Sequence, residues 1–460
     1  MNITPLLFSI AALAMSVHAA PIALHPDNPH VFLFREKPAV LITSGEHYGA
    51  VLNLDFDYVK YLDTLAADGL NLTRTFSGAY IEPQGAFNIA ENTLAPKSGR
   101  FISPWARSGQ ADKFDLTKWD PAYFSRLKDF VAQAGKRGIV VELALFCPMY
   151  EDMQWKLSPM NAANNVNGIG AIGRNDVHTL DKNGGLLPVQ EALVRKIVAE
   201  LHDAENLCYE ICNEPYFGGV TMAWQHHIAD VITAAEKDFA HKHLITQNIA
   251  NGSAKIEKPH PAVSVFNFHY ANPPAAVPLN YGLNKVIGDN ETGFKGTADG
   301  HYRMEAWEFI LAGGGLYNNL DYSFTTGHED GTFQYPPKQP GGGNPGFRKQ
   351  MKLLKDFIHS FEFVKMKPAR DVIHEPLPKD ARCQVLAESG RQYAAYFKGA
   401  AKFAFTIDLP SGDYEVRWLD VVTGRTDAPA KLAHAGGAAK FVIPYGLDEC
   451  ALRLVREAGR

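Results

Sequence analysis

The sequence has few features that would direct it to nucleic acid, a membrane or a metal ion. Its 460 residues include 45 basic and 50 acidic side chains, so a net charge of −5 leaves no basic footprint for nucleic acid. No segment after residue 20 is apolar enough for a membrane helix. Neither Cys-x-x-Cys nor His-Glu-x-x-His occurs, so we expect neither a dedicated metal site nor any other cofactor.

Cysteine is also scarce, and the five cysteines do not form a disulfide framework. Cys208 and Cys212 lie on one predicted strand, too far apart along it to bond each other. Cys383 and Cys450 flank the last part of the chain and could pair, which would leave Cys147 free.

The longest apolar run lies at the start of the chain. Residues 5–17 are apolar and are followed by the small residues of Val17-His18-Ala19-Ala20, although no Lys or Arg precedes the run. The run is too short to span a bilayer and is typical of a secretory signal. We predict that residues 1–20 are a signal peptide and that the mature protein is soluble and either secreted or periplasmic.

Short, continuously apolar strands alternate with helical patterns from about residue 30 to about residue 362. Clear examples are the strands Val263–His269 and Leu316–Leu320, and a helix that opens at Asp120-Pro121. A hairpin is predicted near residue 30, with its second arm, Ala39–Thr43, serving as the first strand. Such alternation predicts a parallel sheet covered by helices. The alternative is an open doubly wound sheet, but no Gly-rich phosphate turn follows the first strand.

The predicted fold class is therefore α/β, a (β/α)8 TIM barrel over residues 21–365. From Met366 the pattern changes to alternating strands separated by Gly-rich turns. This pattern predicts a small all-β sandwich domain over residues 366–460, reached through the Pro-rich stretch Lys367–Pro378.

One stretch organises the predicted barrel. Residues 209–216, Tyr-Glu-Ile-Cys-Asn-Glu-Pro-Tyr, run as a buried strand until Pro215, which cannot donate to a sheet ladder. Side chains at the carboxyl ends of barrel strands meet at one face of the barrel. The polar residues predicted there are Glu46, His47, Arg74, Asn213, Glu214, Asn248, His269, Tyr270, Glu291, Asn319 and Asp321.

Two separate carboxylates among these residues suit glycoside hydrolysis, in which one protonates the leaving oxygen and the other attacks the anomeric carbon. At this point the chain resembles clan A of the glycoside hydrolases, most closely the family 5-like cellulases and mannanases, over residues 30–362. The segments that carry the resemblance are Gly69-Leu70-Asn71-Leu72-Thr73-Arg74, Asn213-Glu214-Pro215, Phe268-His269-Tyr270 and Gly288-Asp289-Asn290-Glu291.

The resemblance implies a retaining hydrolase that cleaves β-glycosidic bonds of a polysaccharide or oligosaccharide by double displacement. Glu214 would be the general acid/base and Glu291 the nucleophile. Asn213 would bind the 2-hydroxyl of the sugar, and Arg74 would lie beneath Glu291 and keep it ionised.

The resemblance further implies that His269 and Tyr270 orient the two carboxylates. Glu46 and His47 are additional candidates for substrate contact. Two features depart from the family pattern. Cys147 follows the third strand, where the family usually has histidine, and the stretch Asn318-Asn319-Leu320-Asp321-Tyr322 lacks the usual sugar-stacking tryptophan. Tyr322 or Trp307 could take the place of that tryptophan.

The assignment leads to three expectations, two about geometry and one about protonation. The carboxyl groups of Glu214 and Glu291 should lie about 5–5.5 Å apart, as a retaining mechanism requires. Glu214, beside an amide and the apolar side of the cleft, should keep its proton more easily than Glu291. The long loops over residues 77–119 and 148–188 should form the walls of the cleft.

Two other functions stay open, a barrel that binds glycan without cleaving it and a metal-dependent hydrolase. The presence of both glutamates and Arg74 argues against the first, since a binding protein needs neither an acid nor a nucleophile. The lack of a His-x-His strand end argues against the second. The expected partner is a carbohydrate substrate, with no nucleic acid and no membrane. The sugar, the linkage, endo or exo action and the oligomeric state are not indicated by the sequence.

Overall fold

The structure, a computed structural model, describes residues 20–109, 112–444 and 446–457. The predicted signal peptide lies outside the described residues except for Ala20. Eight parallel strands form the central sheet: β1 Leu41–Gly45, β2 Leu72–Phe76, β3 Val140–Ala144, β4 Leu207–Glu210, β5 Leu244–Asn251, β6 Val263–His269, β7 Val286–Thr292 and β8 Leu316–Leu320. The strand order β1-β8-β7-β6-β5-β4-β3-β2 makes sequence neighbours spatial neighbours, which confirms the predicted barrel.

The barrel closes between β1 and β2 largely through one side chain. The backbone N–H of Ile42 donates to Asn71 Oδ1 at 2.8 Å, and Asn71 Nδ2 donates to the carbonyl of Val40 at 3.0 Å. The amide side chain thus satisfies two backbone groups that would otherwise be left at an open sheet edge.

Helices surround the barrel: α1 Tyr58–Ala67, α2 Pro121–Lys136, α3 Asp152–Leu157, α4 Leu187–Glu200, α5 Met222–Ala235, α6 Ala276–Asn280, α7 Asp299–Leu311 and α8 Pro345–His359. Asp57, Asp120 and Asn344 each precede a long helix and accept hydrogen bonds from its first free N–H groups. In α2 the buried residues Tyr123, Leu127, Phe130 and Ala134 recur at helical spacing and face the sheet. No helix in the described part of the chain is both long and apolar enough to cross a membrane.

A small antiparallel sheet of Ala23–Leu24, Phe32–Phe34 and Lys37–Ala39 precedes the barrel. The predicted hairpin arm is therefore divided: Lys37–Ala39 pairs with Phe32–Phe34, and β1 begins only at Leu41. Ile22 and Phe32, both fully buried, pack with residues near the amino ends of the eight strands, namely Leu41, Leu72, Val140, Cys208, Leu244, Val265, Val286 and Leu316. This apolar cluster closes the amino end of the barrel and leaves the carboxyl end for a site.

The C-terminal strands are β9 Arg382–Glu388, β10 Gln392–Lys398, β11 Ala404–Leu409, β12 Gly412–Asp420, β13 Ala430–His434, β14 Gly437–Val442 and β15 Glu449–Arg456. Lys367–Pro368, β9, β10, β15, β12 and β13 form one antiparallel sheet, and β11 pairs with β14 in a second. The predicted all-β domain is thereby confirmed. One face of the larger sheet packs on the barrel, where Tyr396 stacks on Trp307 at a centroid distance of 5.6 Å.

The possible disulfide between Cys383 and Cys450, which the sequence left open, is absent from the structure. Both residues are register partners of Phe397, on the two strands that flank β10. Two strand spacings of about 4.8 Å separate their backbones, whereas a disulfide needs Cα atoms within about 7 Å. All five cysteines are free and buried.

Candidate active site

A cavity of about 700 Å3 opens at the carboxyl end of the barrel. The predicted loops contribute to its walls, with Glu82, Phe87 and Leu94 from the loop after β2 and Cys147 and Tyr150 from the loop after β3. The remaining residues around it include His47, Tyr48, Phe76, Asn213, Glu214, Phe217, Asn251, Tyr270, Glu291 and Phe294.

Glu214 lies at the end of the segment that leaves β4, with a φ of 36° that is unusual for a residue with a side chain. Tyr150 Oη donates to its Oε2 at 2.6 Å and Tyr216 Oη donates to its Oε1 at 3.1 Å. His269 Nδ1 lies 3.1 Å from the same Oε1. Three donors from three different strand ends therefore hold this carboxylate.

Glu291, near the end of β7, is held by a second set of donors. Tyr270 Oη donates to its Oε1 at 2.7 Å, and Tyr48 Oη donates to its Oε2 at 3.0 Å. Arg74 Nη1 reaches Oε2 at 3.3 Å. The two hydroxyls and the guanidinium fix the position of the carboxylate.

His269 connects the two glutamates. Its Nδ1 lies 3.1 Å from Glu214 and 3.5 Å from Glu291, and the three potential ligand atoms lie within 4.8 Å of one another. Carboxylate oxygens this close fit the separation of about 5–5.5 Å in retaining glycosidases and not the 6.5–9.5 Å or so in inverting ones. Within the described ranges these three residues are also the group that could hold a metal ion.

The electrostatics of Glu214 differ from the expectation that it keeps its proton easily. Burial raises its pKa, but the bond and charge of His269 and the hydroxyls of Tyr150 and Tyr216 outweigh burial, so the pKa is lowered. Burial also disfavours the charged form of His269 and so lowers its pKa, but the two glutamates outweigh burial and the pKa of His269 is raised. Apolar surroundings and one neighbouring amide favour the protonated form of Glu214, but the donors contributed by the loops and by β6 reverse the direction of the pKa shift.

Arg74 lies in a buried layer of charge beneath the two glutamates. Its Nε donates to Glu210 Oε2 at 3.1 Å, its Nη2 also bonds Glu210, and Nη2 donates to Asn213 Oδ1 at 2.6 Å. Its guanidinium lies 4.5 Å from the ring centroid of Tyr48. Asn213 Nδ2 in turn donates to Tyr150 Oη at 2.8 Å, so the asparagine joins the guanidinium to the surroundings of Glu214.

Glu142 completes this layer and was missed by the sequence reasoning. It accepts hydrogen bonds from Thr246 at 2.8 Å, Asn267 at 2.6 Å and Asn290 at 3.0 Å, all inside the barrel. Burial and the charge of Glu210 raise its pKa to about 7. A carboxylate within the otherwise apolar strand β3 was the signal for it.

The two predicted candidates after β1 have different environments. His47 is one of the residues around the cavity, but Glu46 is not. The Glu46 carboxylate accepts hydrogen bonds from the backbone N–H groups of Gly49 and Ala50 and from the Thr93 hydroxyl. Glu46 therefore holds two loops together instead of facing the cavity.

The proposed replacements for a stacking tryptophan are also accounted for. Trp307 is fully buried against the C-terminal sheet, so it cannot stack on a sugar in the cavity. Tyr322 is 2% exposed and packs near His47 and Phe294. The exposed rings at the cavity are instead those of Phe87, Phe217 and Phe294, which are 37%, 43% and 39% exposed.

Comparisons with known proteins agree with the fold. No protein-family model matches the chain, and no curated protein matches it significantly. A solved glycoside hydrolase is 14% identical with a TM-score of 0.65, over 96% of this chain and 98% of that one. A family 5 glycoside hydrolase from Bacteroides vulgatus ATCC 8482 is 14% identical with a TM-score of 0.64, over 95% and 93%.

A further structure, a putative glycoside hydrolase from the same Bacteroides vulgatus strain, gives a TM-score of 0.67 at 14% identity, over 96% of this chain and 83% of that one. At this level of identity the similarity establishes the fold. The chain thus has the fold of family 5-like glycoside hydrolases along nearly its whole length, including the C-terminal domain, which confirms the structural side of the resemblance.

Proposed function

We propose that this protein is a retaining glycoside hydrolase that cleaves β-glycosidic bonds by double displacement. The observation that carries the proposal is the pair Glu214 and Glu291, held within 4.8 Å at the carboxyl end of the barrel and bridged by His269. A site that only bound glycan would not need two carboxylates brought so close together, because their mutual repulsion has to be offset by the surrounding donors.

Contacts with Arg74 divide the roles of the two residues. Arg74 Nη1 bonds Glu291, and its other donors bond Glu210 and Asn213. A guanidinium is always charged at working pH, so its contact with Glu291 supports the assignment of Glu291 as the nucleophile that attacks the anomeric carbon. The two tyrosine hydroxyls on Glu291 aim the attacking oxygen.

Glu214 is then the general acid/base. His269 Nδ1 lies 3.1 Å from Glu214 Oε1, so the imidazole and the carboxyl are in direct contact while Glu214 supplies the proton for the leaving oxygen. In the second step Glu214 removes a proton from the water that attacks the glycosyl ester on Glu291. Asn213, between Arg74 and Tyr150 at the cavity wall, is the residue assigned to the 2-hydroxyl. We also propose that the protein is exported, on the strength of its apolar N-terminal segment.

The test is a screen of aryl β-glycosides and of polysaccharides that include β-glucans and mannans. NMR of the first-formed product should show net retention at the anomeric carbon. Glu291→Ala should abolish turnover of all substrates. Glu214→Ala should keep the first step on aryl glycosides with good leaving groups, and added azide should restore the second step by forming a glycosyl azide.

Glu305→Gln is a matched control. Glu305 is a buried glutamate on α7, and burial raises its pKa to about 8, so the neutral amide resembles its native form. This variant should turn over substrate like the native chain. A product of inverted configuration would defeat the retaining mechanism, and binding of glycan without turnover would favour the non-catalytic alternative.

A further inference from the structure

His47 is buried and its ring nitrogens make no hydrogen bond of normal geometry, although Nε2 forms an ion-pair contact with Glu82. Its side chain faces the cavity and the residue is 8% exposed, but neither Nδ1 nor Nε2 makes a hydrogen bond within the described structure. The nearest charged atom is Glu82 Oε2, 3.5 Å from Nε2. A buried polar group without a partner is costly, and at a cavity wall a ligand is the partner that can satisfy it.

Glu82 provides acceptors beside it. Tyr80 Oη donates to its Oε1 at 3.1 Å and Asn92 Nδ2 donates to its Oε2 at 2.5 Å, so each oxygen has one donor. A carboxylate accepts about four hydrogen bonds, and therefore both oxygens can take another. Glu82 is 5% exposed and its backbone N–H donates to the carbonyl of Leu94 at 2.9 Å, which fixes its position.

The neighbouring charges distinguish His47 from an ordinary core histidine. His178 also has two unpartnered ring nitrogens, but it packs between Phe146 and Trp224, and burial lowers its pKa to about 3. Burial also disfavours the charged form of His47, but Glu82, Glu291 and Glu46 outweigh burial and raise its pKa. His47 is thus a donor paired with an acceptor, in contact with the cavity.

The barrel order places this pair at the end of the cavity away from the general acid. His47 follows β1 and Glu82 follows β2, whereas Glu214 follows β4 and Asn251 ends β5 on the other side of the barrel. Glu214 protonates the leaving oxygen, so the leaving group lies on the β4 and β5 side. The sugar that becomes attached to Glu291 therefore extends towards His47 and Glu82.

The loops after β1 and β2 contact each other beside the pair. The Thr93 hydroxyl donates to Glu46 Oε2 at 2.6 Å and contacts the carbonyl of His47 at 2.8 Å, and Asn53 Nδ2 donates to the Thr93 carbonyl at 3.0 Å. The loops after β1 and β2 approach so closely here that a Cβ on Gly49 would lie 2.2 Å from the Thr93 carbonyl oxygen. The loops after β1 and β2 are therefore tightly joined next to His47.

We propose that His47 and Glu82 form a hydroxyl clamp that binds two adjacent hydroxyls of a terminal sugar. The assignment rests on the proposed function and adds to it the substrate class: non-reducing chain ends or single glycosides whose terminal sugar carries a free vicinal diol. His47 donates to one hydroxyl oxygen and Glu82 accepts from the neighbouring hydroxyl. The enzyme is accordingly exo-acting.

The test compares the best aryl glycoside from the screen with its monodeoxy analogues, each lacking one hydroxyl of the glycone. His47→Ala and Glu82→Gln should each lower kcat/KM by about 10- to 100-fold on the parent glycoside, the loss expected for a hydrogen bond to a charged group. On the analogue that lacks the hydroxyl bound by the altered residue, variant and native chain should differ little, because that contact is already absent.

His178→Gln is the control, since it alters a buried unpartnered imidazole outside the cavity wall and should leave the ratio of parent to deoxy rates unchanged. Thermal unfolding of each variant identifies any loss of folded protein. If a variant lowers kcat/KM by the same factor on the parent glycoside and on every monodeoxy analogue, the clamp is wrong, although the hydrolase assignment stands. If no glycoside is cleaved at all, the proposed function fails first.

A second measurement uses oligosaccharides. The native chain should release single sugars from non-reducing ends and should not act when the hydroxyls of the terminal sugar are etherified. Release of internal fragments, or cleavage of the etherified substrate at the native rate, would overturn exo action and with it the clamp.

Discussion

The hydroxyl of Tyr150 gives the most direct test of how the site controls its proton. It donates to Glu214 Oε2 at 2.6 Å and accepts from Asn213 Nδ2 at 2.8 Å, while its ring packs on Phe87 and Phe217. Tyr150→Phe keeps the ring and removes the donor. The change therefore acts on the ionisation of Glu214 with little effect on packing.

The size of the effect follows from that one bond. A hydrogen bond to a charged group is worth about 1.5–3 kcal/mol, and one pKa unit corresponds to about 1.36 kcal/mol. The lost donor favoured the ionised form, so its removal raises the pKa of Glu214 by about one to two units. Water from the cavity can replace part of the bond, which places the expected shift near the lower end, about one unit.

The assay is the pH dependence of kcat/KM on an aryl glycoside with a poor leaving group, for which protonation is required. The alkaline limb reports the acid of the free enzyme, so in Tyr150→Phe it should move to higher pH by about one unit. Tyr270→Phe is the matched control, because it removes a donor from Glu291 instead of Glu214 and should leave the alkaline limb in place. An alkaline limb that stays in place, or moves to lower pH, in Tyr150→Phe would refute Glu214 as the acid.

Three further changes test the scaffold around the site. Burial raises the pKa of Glu46 from 4.5 to about 7. Its contribution to stability is therefore complete below pH 4.5 and is lost as the pH rises through about 7. The free energy of unfolding in urea should show this decline with pH in the native chain and a weaker pH dependence in Glu46→Gln. Asn71→Leu leaves backbone groups at the barrel closure without partners and should lower the free energy of unfolding by about 1–3 kcal/mol, measured from the urea midpoint. Arg382 Nη1 donates to Asn272 Oδ1 at 3.0 Å in the loop after β6, so Arg382→Ala should lower kcat several-fold. Arg303→Ala is the control: it removes the ion pair with Glu449 between the two domains and should lower the melting temperature without lowering kcat.

The features predicted most accurately from the sequence were strand bounds and strand ends, which depend on local sequence patterns. The strands Val263–His269 and Leu316–Leu320 have the predicted bounds, because apolar runs bounded by polar residues need no tertiary information. Pro215 marks the end of the chain segment that carries Glu214, and the proline effect on a ladder is equally local. Strand ends and the residues that follow them could therefore be assigned before the structure was known.

Properties that depend on contacts between strands could not be assigned in this way. Glu46 and His47 are neighbours in the chain, but Thr93, in the loop after β2, binds the carboxylate of the first and leaves the imidazole of the second at the cavity. Whether Cys383 pairs with Cys450 likewise depends on strand order, because β10 lies between the strands that carry the two cysteines.

The chemistry of Glu214 shows why this distinction matters for mechanism. Of the three donors that lower its pKa, only Tyr216 is close to Glu214 in the sequence. Tyr150 comes from the loop after β3 and His269 from the end of β6, so the ionisation of the residue is determined by which strand ends the barrel brings together. A substitution at either donor should therefore change the pH dependence of catalysis while the strand that carries Glu214 keeps its sequence and its bounds. The barrel thus determines where the two carboxylates lie, and the donors around Glu214 determine the direction in which its pKa moves.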